Sequence, residues 1–262
     1  MGSFDGKSVI VTGGAKGIGR GICLAFTEAG AGVVCADVDQ DAGNAIAAET
    51  ANHPGTLRFE NADVTTAEAC EKLVAAARDA FGGLDVICNN VGIQPTNSYL
   101  RAHEMPEEMW DRIQDVNLKS AFLLFKAGYS ALKERGGGVV INTASVQGLQ
   151  SAPMVSAYAA TKGGILSLTQ QLALDYAVDN IRVLAVNPGA IDTPLLAEAI
   201  EASDEDPGKM RQHMADIHPI GRMGQPEDIG RAVRFMASDE ASFMTGSWVN
   251  VDGGLMAKGA WA

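Results

Sequence analysis

Ser8-Val9-Ile10-Val11-Thr12-Gly13-Gly14-Ala15-Lys16-Gly17-Ile18-Gly19 begins as a short apolar, β-branched run and ends in a glycine-rich turn. A continuous apolar run of this length reads as a strand buried on both faces, as in the middle of a parallel sheet. A helix is expected next, over 20–29, ended by Gly30. Strand, glycine turn and helix in that order give a glycine motif its structural meaning. Glycines let the backbone turn tightly and approach a ligand closely, and free N–H groups at a helix start favour an anion. The spacing is Gly13-x-x-x-Gly17-x-Gly19 rather than the commoner Gly-x-Gly-x-x-Gly. Its two readings are a pyrophosphate cradle and a purely structural turn.

The alternation continues to the end of the chain. Strand-like runs fall at 32–36, 57–62, 84–88, 139–143, 181–187 and 247–251, and helical patterns at 39–50, 66–81, 107–133, 165–178 and 226–238. Strands that alternate with helices build a parallel sheet covered on both faces. The expectation is therefore an α/β fold: one doubly wound Rossmann domain over 1–262, with a seven-stranded parallel sheet and helices on both faces. In such sheets ligands bind at the carboxyl ends of the strands. Asp37 ends the second strand, 18 positions after Gly19, where a carboxylate accepts hydrogen bonds from an adenosine ribose. The other reading of Asp37, a cap for the next helix, is one Asp39 can fill instead. Asp63 follows the third strand and could meet an adenine. Asn89 and Asn90 end the fourth, where they either satisfy loop backbone or floor the ligand site. Asn117 interrupts the 107–133 helix among apolar neighbours, and a buried amide must bond something specific.

Composition narrows the partners. With a net charge of −12 over 262 residues the chain is a poor binder of phosphate backbones, so neither nucleic acid nor an anionic membrane is expected. No apolar run approaches the ~18 residues of a membrane span, and the first eight residues lack the pattern of a signal peptide. Cys23, Cys35, Cys70 and Cys88 form no Cys-x-x-Cys and are expected buried and reduced, as in a cytoplasmic protein. The four histidines have no metal-ligand spacing, so no metal is expected.

Chemistry concentrates at Ser156-Ala157-Tyr158-Ala159-Ala160-Thr161-Lys162. Tyr158 and Lys162, four residues apart, share one helix face. A free tyrosine titrates near ~10; an ammonium beside it favours the phenolate and lowers that value. Such a pair is suited to exchanging a proton with an alcohol or a ketone; the other reading is a Tyr and a Lys on a solvated helix face.

Together these motifs resemble the single-domain short-chain dehydrogenase/reductases along nearly the whole chain. The matching stretches are Thr12-Gly-Gly-Ala-Lys-Gly-Ile-Gly19, Asp63-Val64, Asn89-Asn-Val-Gly92, Asn117, Ser145, Tyr158-Ala-Ala-Thr-Lys162 and Asn187-Pro-Gly189. Val91 departs from the alanine usual there. The resemblance implies NAD(P)-linked interconversion of alcohols and ketones by a homotetramer. It implies Tyr158 as general acid/base, Lys162 to lower its pKa and hold the nicotinamide ribose, Ser145 on the substrate oxygen, and Asn117 to hold a water that links Lys162 to solvent. The cofactor would lie against Gly13, Lys16, Gly17, Ile18, Gly19, Asp37, Asp63, Val64, Asn89, Val91, Gly92, Tyr158, Lys162, Pro188, Gly189, Ile191 and Thr193. Asp37 argues for NAD over NADP, and Lys16 argues weakly the other way.

The small-molecule substrate is less legible. Gln94, Ser145, Gln147, Gln150, Pro153, Tyr158, Leu195, Leu196 and Met214 are candidate pocket residues. Glutamines beside an apolar lid suit a cyclic alcohol, polyol or sugar better than a long acyl chain. The charged, Met-rich segment 195–222, with Asp206-Pro207-Gly208 read as a turn, is expected to be a mobile substrate lid. Two other readings remain: an epimerase or lyase on the same fold, and a non-catalytic NAD-binding sensor, which would require a lost Tyr, Lys or Ser.

Overall fold

The structure is a computed structural model that describes residues 3–203 and 205–258. Its strands are β1 (Ser8–Thr12), β2 (Gly32–Asp37), β3 (Thr56–Asn61), β4 (Val86–Asn89), β5 (Gly138–Thr143), β6 (Ile181–Pro188) and β7 (Trp248–Val251). All pair in parallel, in the order β3-β2-β1-β4-β5-β6-β7. The order reverses between β1 and β4, which places the ligand crevice at their carboxyl ends. Connecting them are α1 (Gly17–Glu28), α2 (Gln40–Glu49), α3 (Ala67–Phe81), α4 (Glu107–Gln114), α5 (Ser120–Glu134), α6 (Ser156–Tyr176), α7 (Pro194–Glu201), α8 (Pro207–Asp216) and α9 (Pro226–Ala237).

The period of two along each strand divides the core. Val9 and Val11 of β1 join Val33, Cys35, Val86 and Cys88 against Ile22 and Phe26 of α1 and Val233 and Met236 of α9. Ile10 joins Val34 and Ile87 on the other face, against Leu73 of α3 and Leu124 and Leu132 of α5. Each fully buried Ile, Leu or Phe contributes about 1.5–3 kcal/mol relative to exposure. All four cysteines are buried and none is in a disulfide. Among the described residues no helix is long and apolar enough to cross a membrane.

Three elements depart from expectation. The fourth strand begins at Val86 rather than Leu84, because Asp85 is occupied at the amino end of the sheet: its carboxylate accepts from Ser8 N at 2.9 Å and pairs with Lys7 and Arg135. The 107–133 helix is continuous but changes pitch, with a π-helical turn at Asp115–Lys119 around Asn117. Segment 195–222 is largely helical, with Asp204 outside the described residues. Asp206-Pro207 is a helix start rather than a turn, and Thr193-Pro194 starts a helix in the same way. Each proline stands at the first helical turn, and each preceding side chain accepts a hydrogen bond from the backbone, from Leu196 N and Lys209 N.

A buried polar chain joins β4, β5 and α6. Asn89 Nδ2 donates to Asn142 Oδ1 at 2.8 Å, Asn142 Nδ2 donates to Thr169 Oγ1 at 2.9 Å, and Thr169 Oγ1 donates to Ile165 O at 2.8 Å. Asn142→Ala leaves the Asn89 amide unpaired in the core and is expected to cost about 1–3 kcal/mol, read as a lower urea midpoint. A change below ~0.5 kcal/mol, the ordinary scatter of surface substitutions, would show that the chain of amides adds nothing to stability.

Candidate active site

At the switch point the glycine loop lies against the end of β4. Gly13 has φ 59°, and a Cβ there would fall 2.9 Å from Val91 Cα, while one at Gly19 would run into the Gly13 carbonyl. Only glycine fits these two positions. Asn90 secures the approach: its Nδ2 donates to Thr12 O at 3.0 Å and Gly13 O at 3.1 Å, and its N–H donates to Thr12 Oγ1 at 3.0 Å. Of the two uses open to the asparagine pair, both side chains serve the protein framework. Asn89 commits its Nδ2 to Asn142 Oδ1.

The start of α1 has no side-chain cap and no acidic residue in its first turn, as an anion site requires. Asp37 ends β2 with its carboxylate held by two backbone donors, Ala15 N and Asp39 N, each at 3.1 Å. Asp39 caps α2 through Ala42 N at 2.9 Å, which leaves Asp37 free of that task. Lys16 forms an ion pair with Asp39, and the bond to that carboxylate raises the lysine pKa. Asp63 gives one oxygen to Thr65 N and Oγ1. Val64 and Ile191 bury their side chains in the core, whereas Ile18 packs against it only in part and keeps some side-chain surface at the crevice. Thr193 rests against Gly17, where an added Cβ would lie 3.2 Å from its Cγ2; its hydroxyl accepts from Leu196 N at 3.3 Å. Pro188 and Gly189 carry β6 into the same loop.

Helix α6, β5 and the π turn bring the four candidate catalytic residues together. Lys162 is 3% exposed, donates from Nζ to Thr143 O at 2.8 Å and stands 5.4 Å from the centroid of the Tyr158 ring. Ser145, just past β5, accepts from Gln147 N at 3.1 Å, and its hydroxyl acts on the Tyr158 phenol in the direction that lowers its pKa. A Cβ at Gly92 would lie 3.4 Å from Lys162 Nζ and 3.7 Å from Asn117 Oδ1, so lysine and asparagine converge on that glycine. Asn117 grips the loop beside it, accepting from Ile93 N at 2.7 Å and donating to Ile93 O at 2.9 Å. Its specific partner is thus the loop after β4, and the π turn aims it there.

The electrostatics correct the expectation for the pair. Burial pushes the Tyr158 phenol up to about 12, with Ser145 working downward and Tyr99 upward. Burial also lowers Lys162 to about 8. Desolvation is the largest influence on the phenol, and Lys162 Nζ, 5.4 Å from the ring centroid, donates to the Thr143 carbonyl.

Among candidate pocket residues, Gln94 is buried and Gln147 half-buried, whereas Gln150, Pro153 and Leu195 are exposed, Leu195 by 40%. Of the three glutamines, Gln94 and Gln147 are at least partly buried and Gln150 faces solvent. Sequence reasoning missed Tyr99, whose own pKa burial raises and which lies close enough to Tyr158 to resist its ionisation. A parallel bridge from Leu100 to Val155 brings that segment to the start of α6. No spacing signal marks Tyr99, because its place depends on a long connection after β4.

Comparison with known proteins agrees with this geometry. The family profile described as enoyl-(acyl carrier protein) reductase matches residues 13–256. A cyclohexanol dehydrogenase from Acinetobacter sp. (strain SE19) is 37% identical over 256 residues, 97% of each chain. A 2,5-dichloro-2,5-cyclohexadiene-1,4-diol dehydrogenase from Sphingobium indicum is 38% identical over 258 residues, 98% of this chain and all of the other. A crystal structure of a short-chain dehydrogenase/reductase from Burkholderia xenovorans superposes with a TM-score of 0.93 at 32% identity, over 99% of this chain and 100% of that one. On fold, family profile and relatives alike, the chain belongs to the short-chain dehydrogenase/reductase family.

Proposed function

We propose that the protein is an NAD-dependent dehydrogenase that interconverts a secondary alcohol and a ketone on a cyclic or sugar-like substrate. The observation that carries this reading is the meeting of Tyr158, Ser145 and Lys162 beside the glycine-loop crevice. The residues present fit a dinucleotide: the loop has no room for side chains at Gly13, the α1 start is uncapped, and Asp37 is held at the end of β2. When bound, the nicotinamide accepts or returns the hydride. Ser145 bonds the substrate oxygen, and Tyr158 takes the alcohol proton or gives one to the ketone. Lys162, lowered to about 8, places a positive charge beside the phenol below that pH and can hold the nicotinamide ribose. Asn117 fixes the 92–93 loop and offers a site for the water that passes the proton on. Retention of Ser145, Tyr158 and Lys162 favours catalysis over a sensor.

The cyclic-alcohol preference draws on two relatives named for cyclohexanol and a cyclohexadiene diol, and on the glutamines at 94 and 147. NADH formation assayed over cyclic alcohols, diols, sugars, hydroxysteroids and hydroxyacyl esters tests it. Turnover confined to hydroxyacyl esters would overturn the substrate class, and no NAD-linked turnover would overturn the activity. Four buried, unpaired cysteines fit a reducing, cytoplasmic setting. Apolar side chains left in solvent, among them Phe243, Leu174 and Phe122, fit burial in a homotetramer.

In this reading the chain is one domain and 195–222 is its lid. Between 194 and 222 only Ile200 and His218 are buried among the described residues, so little packing holds the segment closed. Crystals of the free enzyme are expected to show higher B-factors in 195–222 than in the sheet, falling when NADH and a substrate analogue bind. Equal values in both states would sink the lid.

A further inference from the structure

We propose that His218 is a positioning residue that ties α8 of the lid to the loop after β6. The inference rests on the lid reading above and assigns the tie to one side chain. His218 is 2% exposed. Its Nε2 stands 3.1 Å from Ala190 N, and its Nδ1 stands 2.6 Å from Met214 O. A backbone N–H can only donate and a carbonyl can only accept, so Nε2 is the acceptor and Nδ1 carries the proton. One neutral ring thus spans the lid helix and the strand-end loop, with both of its nitrogens engaged.

The surroundings are shaped to admit the ring. A Cβ on Gly189 would fall 2.6 Å from His218 Nε2 and 3.0 Å from Asp252 Cα, and one on Gly253 would fall 3.4 Å from His218 Cβ and Cδ2. The ring is therefore wedged between the β6 loop and the turn after β7. It borders a cavity of about 330 Å³ whose charged lining residues are Arg222, Asp228 and Asp252. These are already committed: Arg222 pairs with Asp228 at 2.7 Å, and Asp252 accepts from Gly254 N and Met256 N.

The loop does not depend on this tie, but α8 does. Gly224 N donates to Ala190 O and Asp192 N donates to Gly224 O, each at 2.9 Å, so the loop keeps its shape without His218. Among the described residues the other side-chain link from α8 to the loop is the Arg211–Asp192 ion pair, with side chains 40% and 39% exposed. Pairs that exposed contribute little. Past His218, Ile220 N donates to Gly253 O at 3.1 Å and keeps the following turn on the end of β7, so losing the imidazole loosens α8 against the β6 loop and leaves the cofactor side intact. The lid is then less often positioned over the substrate, and substrate affinity falls while the chemical step does not.

His218→Ala and His218→Gln test this. Glutamine carries a donor and an acceptor on one head and can restore part of the link. In hydrogen exchange on the free protein, the alanine variant is expected to exchange at least ~10-fold faster across 207–217, the size of a lost buried hydrogen bond, with β6 and α1 unchanged. The glutamine variant recovers much of that protection. With a turned-over alcohol, the alanine variant raises KM by about tenfold or more, the same loss expressed in binding, while kcat and NADH affinity hold. Unchanged exchange in α8, a fall in kcat without a rise in KM, or loss of protection throughout the sheet in both variants would each overturn the assignment. If the unmutated enzyme turns over no alcohol, the dehydrogenase reading fails, and the exchange comparison still decides the tie.

Discussion

Replacing Tyr158 by phenylalanine is expected to lower kcat by at least ~10²-fold in both directions, the usual scale for loss of a general acid/base, while NADH still binds. The substitution removes one hydroxyl and keeps the ring that packs beside Lys162. Ser145 keeps its bond from Gln147 N at 3.1 Å, so the strand end does not collapse. A pH series adds a sign. Burial holds the phenol up to about 12, so it is protonated throughout the neutral range. Oxidation needs the phenol to give up its proton, and its rate should rise from pH 7 to 9. Reduction uses the protonated form and should not rise. Lys162, lowered to about 8, loses charge within the same window and should blunt the rise near its upper end. The phenylalanine variant should lack the rise altogether. Near wild-type turnover in that variant would remove Tyr158 from the mechanism.

The sheet was legible because burial on both faces leaves an unmistakable trace. Val9-Ile10-Val11 has no polar residue to mark a solvent face, and the structure puts these three on alternate sides of one sheet between two helical layers. The glycine loop was legible for a related reason, since Gly13 and Gly19 occupy positions where a Cβ has no room. Helix α8 was hidden by a local ambiguity: Asp206-Pro207 serves a turn and a helix start equally well, and only the chain beyond it decides. The phenol pKa was out of reach for another reason. Spacing on a helix places Tyr158 and Lys162 on one face, but the balance between attraction and desolvation depends on what surrounds both and on where Nζ turns. Tyr99 and His218 were invisible because each reaches its place through a long connection, and no sequence period records such contacts.

Cofactor choice is decided at the end of β2, and the expected result is NAD over NADP by on the order of 10²-fold or more in kcat/KM, at ~1.4 kcal/mol per tenfold. Asp37 is held by Ala15 N and Asp39 N at 3.1 Å each, so its carboxylate is fixed before any ligand arrives. Hydrogen bonds from ribose hydroxyls to that charged acceptor are worth roughly 1.5–3 kcal/mol. A phosphate on the 2′ oxygen would lose them and face the carboxylate, and like charges ~4 Å apart repel by about 1–4 kcal/mol between water-like and surface-like dielectric. Lys16 is the cation that could answer, but it is paired with Asp39, and its side chain is 55% exposed. Drawing it to a phosphate would break that pair and leave a second carboxylate unneutralised nearby. An exposed ion pair gives back under about 1 kcal/mol, and the next residue, Val38, adds no charge. The repulsion therefore exceeds the attraction. Asp37→Ser removes the charge, keeps a short polar side chain at the end of β2, and is expected to erase most of the preference by improving NADP more than it harms NAD. Measuring kcat/KM with both cofactors on both proteins decides it: equal values or an NADP preference in the unmutated enzyme would mean that Lys16 leaves Asp39 for the phosphate and outweighs Asp37.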